Sequence, residues 1–261
     1  MISRLPQNDC SPGIASLFPT GHSGMRRIRV GAWRDDTGGP MEVVSGAMGR
    51  ERIHFEAPAA KKLDPEMGAF LDWFNGNTEG DWVVKAGMAH LWFVTIHPFE
   101  DGNGRIARAI ADMALARSEQ SSQLFYSMSA QIRQERADYY DILERTQKAT
   151  MDITPWMGWF LGCLGRAIEG AQATLGTVLS KAHFWETFGN SLLNERQRQR
   201  LVVNRLLDGF EEKLTTMKYG KLAKCSHDTA LRDIAALLEP GILVRNPAGG
   251  RSTSYSLAEV T

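Results

Sequence analysis

The sequence predicts a mainly α-helical protein with a small β-hairpin ahead of the helices and a second, smaller unit at its C-terminal end. Three observations predict it. Apolar residues recur at helical spacing from Met67 to about His183, residues 1 to about 57 are instead rich in Gly, Pro and short alternating runs, and the composition turns polar near Asn190. With 261 residues, 43% hydrophobic and 23% charged, the chain can bury a sizeable core and still carry an appendage.

Taken in order, Arg27-Ile-Arg-Val and Arg52-Ile-His-Phe flank the turn-forming Asp36-Thr-Gly-Gly-Pro, which reads as loops and a small hairpin. A helix is expected from Asp64, with Asp64 as its N-cap, Pro65 just inside, and Met67, Phe70, Leu71 and Phe74 on one face. The run from Asp81 to Ile96 is apolar on most sides, as a helix in the middle of a bundle would be. Ile106 to Arg117, Gln131 to Lys148 and Thr154 to His183 complete an all-α core. We expect a first domain at 1–189, its core at about 25–185, and a second at 190–261. The second begins with the polar helix opened by Asn194-Glu-Arg-Gln-Arg-Gln-Arg. It continues with a helix at Gly220 to Ala223, a Ser226-capped helix to Leu238, and strands at Ile242 to Arg245 and Ser252 to Leu257. That order is a winged helix-turn-helix.

Thirty basic residues balance thirty acidic ones, so no overall field draws the chain to nucleic acid or an anionic membrane. Cys10, Cys163 and Cys225 lack the spacing of a disulfide framework or zinc site. The N-terminus has no apolar core after Arg4, and the longest apolar stretch, Trp156 to Leu164, is far too short to span a bilayer. The expectation is a soluble, cytoplasmic protein with no membrane partner.

Chemistry concentrates in His97-Pro-Phe-Glu-Asp-Gly-Asn-Gly-Arg-Ile-Ala-Arg108. Pro98 disfavours the α conformation at His97, so the apolar helix should end there and present an imidazole at its mouth. Gly102 and Gly104 let the backbone approach an anion, and Asn103 between them tolerates a left-handed conformation and offers an amide. A helix starting at Asn103 or Gly104 points its unsatisfied N–H groups into the same space, which suits a polyphosphate. Arg105 and Arg108, three apart, share a face and can clamp the outer phosphates. Asp101 is a hard oxygen donor placed to hold Mg2+ between phosphate oxygens. Phe99 should anchor the loop in the core.

This dodecapeptide resembles the Fic family signature, H-x-F-x-[DE]-G-N-G-R-x-x-R, at every fixed position. The resemblance implies a Fic-type helical bundle and transfer of AMP from Mg-ATP to a Ser, Thr or Tyr hydroxyl of a target protein. It implies His97 as general base, Asp101 on Mg2+, Gly102, Asn103 and Gly104 on the α and β phosphates, and Arg105 and Arg108 on the β and γ groups. The C-terminal unit resembles the winged helix appended to many bacterial Fic proteins. Gly49 to Phe55 resembles the flap hairpin that docks the target through main-chain hydrogen bonds, with Glu51, Arg52, Ile53 and His54 as its docking residues. The alternative for that segment is a plain edge strand. Arg136-Ala-Asp-Tyr-Tyr140 resembles a segment lining the nucleotide pocket, so Tyr139, Tyr140 and Gln147 are adenosine contacts by resemblance. As an aromatic pair at helical positions they fit a core equally well.

One family feature has no clean copy here. Ser191-Leu-Leu-Asn-Glu195 has the first spacing of the inhibitory [ST]-x-x-x-E-[GN] helix, but Arg196 replaces the small residue. The expectation is a form without self-inhibition, either shortened or held in check by a separate inhibitory partner. In the second domain eleven Lys or Arg face eight Asp or Glu, a weak excess for a DNA binder. Ser226, His227, Thr229, Arg232, Arg245 and Arg251 permit DNA contact, but packing or homodimerisation is favoured over it. Two rival functions stay open: a different Fic-type transfer, of phosphate or another nucleotide group, and a winged-helix regulator that uses the loop as a nucleotide sensor.

Overall fold

A computed structural model describes residues 22–23, 26–29, 31–46, 50, 52–76, 80–149, 151–189, 197–210, 213–247 and 253–259. The chain divides into two compact units, Met1–Ala171 and Gln172–Thr261. The first opens with two short antiparallel pairs: β1 (His22–Ser23) with β2 (Arg26–Arg27), and β3 (Glu42–Ser45) with β4 (Arg52–Glu56). The strand at Arg52 therefore pairs with Glu42–Ser45 and not with the Arg27 run, because only the nearer segment can close a hairpin without crossing the intervening turn.

The helices follow as α1 (Leu63–Asn75), α2 (Trp82–Ile96), α3 (Asn103–Ser118), α4 (Met128–Gln134), α5 (Arg136–Lys148) and α6 (Thr154–Phe188). On α1 the buried residues Leu63, Met67, Phe70, Leu71 and Phe74 form the expected stripe. Its N-cap is Lys62, not Asp64, since the preceding short helical turn Ala60–Lys62 runs straight into it and leaves Asp64 in the first turn. That position still suits a carboxylate facing the positive helix end. The single helix expected from Gln131 to Lys148 is two helices broken at Glu135. Ser127 caps α4 by accepting from the Ala130 N–H, and Glu135 at the break is held by Arg166 of α6 through two contacts of 2.6 Å.

Helix α2 is buried on nearly every side: Ala86, Ala89 and His90 are wholly enclosed, and Phe93, Val94 and Ile96 nearly so. Asp81 starts it by accepting from the Val83 N–H at 2.7 Å. Its approach to α6 requires a glycine. A Cβ on Gly87 would lie 2.9 Å from both Met157 Cε and Phe160 Cδ1, and Trp156 Nε1 donates to the Gly87 carbonyl at 2.8 Å.

The second unit takes α6 from Gln172 and adds α7 (Gln197–Leu207), α8 (Thr216–Ala223), α9 (His227–Leu238) and the antiparallel pair β5 (Leu243–Arg245) and β6 (Tyr255–Leu257). The order is the helix, helix, helix, hairpin read from the sequence. Helix α8 is longer than Gly220 to Ala223 because Thr215 caps it, while Ser226 caps α9 as expected. The division at 171/172 lies ahead of the composition shift at Asn190, since Phe184 already belongs to the second unit's own core with Val202, Tyr219, Ile234 and Leu237. Among the described residues no helix is long and apolar enough to cross a membrane.

Replacing Gly87 with Val should force Met157 and Phe160 aside and lower the unfolding free energy by about 1–3 kcal/mol, the usual cost of overpacking. The urea midpoint of the variant measures it.

Candidate active site

Helix α2 ends where His97 enters the left-handed region, at φ 51 and ψ 56, and Pro98 follows. A non-glycine residue there costs roughly 1–3 kcal/mol, so other contacts must hold it. They are visible. The His97 N–H donates to the Phe93 carbonyl at 3.0 Å, and His97 Nδ1 lies 3.2 Å from the Val94 carbonyl, which fixes the proton on Nδ1. Nε2 is left as the accepting nitrogen. Burial holds the imidazole below the ordinary histidine range, the charge of Arg34 adds to this, and the Val94 hydrogen bond and Asp101 oppose it.

Positive φ in the following loop falls on Gly102 (φ 85), while Asn103 is already the first residue of α3. The asparagine amide is engaged inside the loop: Nδ2 donates to the Phe99 carbonyl at 2.8 Å and Oδ1 accepts from the Phe99 N–H at 3.0 Å. Asn103 therefore shapes the loop with its side chain. Phe99 is buried against Trp33, ring centroids 4.9 Å apart. Asp101 Oδ1 accepts from the Gly102 N–H.

A cavity of about 170 Å3 gathers much of the expected site. His97 comes from α2, Gly104 and Arg108 from α3, Tyr139, Tyr140 and Gln147 from α5, and His54 from the hairpin. A second cavity, of about 540 Å3, shares Arg108, Tyr139 and Tyr140 and adds Arg133 and Arg136. The first is small beside the usual ligand pocket of about 300–1,000 Å3, and the second adjoins it at the three residues they share. Asp101, Gly102, Asn103 and Arg105 belong to the same loop and helix start without lining either cavity. The charge of Arg108 acts on the Asp112 carboxyl one turn further along α3 and opposes its upward shift by burial. The segment Ser191 to Arg196 lies outside the described residues.

Tyr139 and Tyr140 split the two readings of an aromatic pair. Tyr139 is buried, its hydroxyl 3.0 Å from His90 Nε2, and shows only part of its surface to the cavity; Tyr140 is 46% exposed, with Arg136 over its ring. Burial drives the His90 imidazole down to about 3, so it stays neutral behind Tyr139. Gln147 Nε2 donates to Thr95 Oγ1 at 3.2 Å.

On the hairpin, a bulge after Val43 leaves His54 out of the ladder register, its Nε2 instead 2.5 Å from Ser45 Oγ on β3. Bulges re-aim side chains, and this one turns His54 Nδ1 onto Glu144 of α5. Glu144 also accepts from Arg52 at 2.8 Å and Lys148 at 2.7 Å. Those hydrogen bonds, from His54 first, pull its carboxyl down to about 2. Arg52 and His54 thus tie the hairpin to the helix that carries Tyr140, while Ile53 pairs with Val44 as an exposed apolar patch. Glu51 lies outside the described residues. Two contributors were not anticipated from the sequence: Arg34, bound to the His97 loop across 63 residues, and Glu144. Neither belongs to a local pattern that would single it out.

Residues 18–115 match the Fic/DOC family model, His97 to Arg108 included. Those residues are a Fic/DOC family domain. The stretch stops before α5, so Tyr139, Tyr140 and Gln147 lie outside the match and share with His97 only the lining of a cavity. The chain is 32% identical over 119 residues to a protein adenylyltransferase Fic of Nematostella vectensis, covering 45% of this chain and 26% of that one. It is 31% identical over 114 residues to the Aedes aegypti protein of the same name, covering 43% and 21%. The matched stretch thus spans about a quarter of the length of these curated relatives. A solved Fic family protein from Desulfovibrio desulfuricans G20 superimposes with a TM-score of 0.53 at 20% identity, covering 98% of this chain and 70% of that one, which is a likeness of fold.

Two pH effects follow. The His97 imidazole is folded with its pKa below the ordinary value of about 6.5, so it stays neutral at pH 7 and protonates only as pH falls through the lowered value; with His97 as the proposed base, a rate profile reads this. Turnover should be level from pH 8 to 7 and decline below about 6.5; a half-maximal point above 6.5 in the rate profile would contradict the burial argument. The Glu144 carboxyl is folded near 2 against 4.5 unperturbed, so what it adds to stability is full above pH 4.5 and is lost between there and about 2. Glu144→Gln should flatten acid unfolding in that window, read by circular dichroism.

Proposed function

We propose that this protein is a protein adenylyltransferase that moves AMP from Mg-ATP to a Ser, Thr or Tyr hydroxyl of a target protein. The observation that supports the reading is the cavity lined together by His97, whose Nδ1 is engaged by the Val94 carbonyl, by Gly104 at the start of α3 and by Arg108. In the reaction, the target hydroxyl gives its proton to His97 Nε2 as its oxygen bonds to the α-phosphorus. The bond from that phosphorus to the bridging oxygen breaks, and pyrophosphate leaves with the electron pair. The first N–H groups of α3 and Arg108 stabilise charge on the phosphates as it redistributes. Tyr140 and Gln147 would flank the nucleoside.

Mg2+ is the expected companion of the triphosphate. Asp101, next to the start of α3, would hold it together with phosphate oxygens. When bound it would offset phosphate charge and orient the α and β groups. The exposed Val44 and Ile53 pair on the hairpin supports target docking there. For the second unit, the small charge excess favours packing or homodimerisation over DNA contact.

Incubation with ATP labelled at the α-phosphate should mark the protein itself or a lysate protein without any added activator, and His97→Ala should lower that label at least about 100-fold. An adenylyl mass shift supports the proposal. A phosphoryl shift assigns the rival transfer, and equal labelling by the variant removes His97 from the chemistry.

A further inference from the structure

The main chain at His97 is gripped by a side chain that belongs to no motif. Arg34 is buried, with 3% of its surface exposed, and each of its three guanidinium nitrogens makes a hydrogen bond. Nε donates to the His97 carbonyl at 2.8 Å, and its own backbone N–H donates to the Pro98 carbonyl at 2.9 Å. Nη1 pairs with Asp36 Oδ1 at 3.0 Å, and Nη2 donates to the Pro58 carbonyl at the end of the hairpin. Asp36 in turn accepts from the Ala60 N–H at 2.6 Å, which fixes the guanidinium at its far end. Next to it, Trp33 packs on Phe99 of the same loop.

We infer that Arg34 is a positioning residue for the AMP-transfer reaction, holding the left-handed backbone at His97 so that the imidazole keeps its Nδ1 proton on Val94 and aims Nε2 into the cavity. This rests on the function proposed above. Two successive peptide carbonyls, that of the strained His97 and that of Pro98 after it, need a donor from outside the helix. Pro98 has no N–H and the helix has ended, so neither can be satisfied locally. The backbone N–H of Arg34 serves the Pro98 carbonyl, and its planar fork ties the His97 carbonyl to Asp36 and the Pro58 carbonyl at once, whereas a lysine ammonium lacks that fixed geometry. A shift of about 1 Å in a reacting group costs up to about 100-fold in rate.

The experiment uses the full chain with Arg34→Lys, and with Asp36→Asn as a gentler second variant that keeps Arg34 itself. At a temperature where each variant is folded, turnover should fall about 10- to 100-fold for Arg34→Lys, and less for Asp36→Asn, while the KM for ATP changes by less than about 3-fold. Long-range 1H–15N spectra at pH 8, with the His97 signals assigned from their loss in His97→Ala, should show an Nδ1–H tautomer in the parent and a mixture in Arg34→Lys. Unchanged turnover in Arg34→Lys overturns the inference. So does an unchanged tautomer, or a rate loss that merely follows the fraction unfolded or a collapse of ATP binding. Should the parent transfer no AMP, the functional reading fails by itself, and the tautomer spectra still decide whether Arg34 sets the imidazole.

Discussion

The site depends on how one helix stops. Helix α2 is buried almost all round, so its last carbonyls have no water to turn to, and each unpaired one would cost about 1–3 kcal/mol. The residue at the stop resolves much of this itself: the His97 N–H takes the Phe93 carbonyl and the His97 ring takes that of Val94, while Thr95 Oγ1 takes that of Leu91. The hydrogen bond that caps the helix is therefore the one that sets the histidine tautomer. Stability and chemistry share a single contact, and the left-handed turn is the conformation that allows both.

From that turn the chain has five residues in which to reverse and begin α3. Two devices make the reversal rigid. Asn103 closes a double hydrogen bond on Phe99, and Phe99 is pressed into the core by Trp33 and Phe93. Gly102 supplies the second positive φ. The ends of α2 and α3 consequently meet at fixed spacing, with an imidazole from one beside the positive end of the other. That neighbourhood disfavours an imidazolium, as does burial, so a helix start that would favour an anion also keeps the imidazole unprotonated.

The sequence made the local parts of this legible and left the distant ones hidden. Met67, Phe70, Leu71 and Phe74 announce α1 because a helical stripe is a short-range pattern, and Pro98 announces the end of α2 because proline acts on its immediate neighbour. The break at Glu135 was invisible, since periodicity runs through it and its partner Arg166 lies 31 residues away. Asn103 was read as a phosphate ligand from its place between glycines, yet its amide faces inward to Phe99. Arg34 carried no signal at all, because an arginine near turn residues looks like a solvated side chain until the fold delivers carbonyls to it.

The hairpin illustrates a different use of charge. Arg52, His54 and Lys148 converge on Glu144 largely at the surface, where ion pairs contribute little to stability, with a median near 0–1 kcal/mol. What such a cluster can do is fix direction. Three donors from β4 and α5 on one carboxylate leave the strand few alternative angles against the helix, and the bulge at His54 removes the ladder contact that would otherwise compete. The apolar pair Val44 and Ile53 is then held outward on a strand whose orientation is set by α5, the helix that also carries Tyr140 and Gln147. A segment docking on the hairpin would thereby be referenced to the same helix as a nucleotide in the cavity, which is how a two-substrate site keeps its reactants in register without a rigid sheet to carry them.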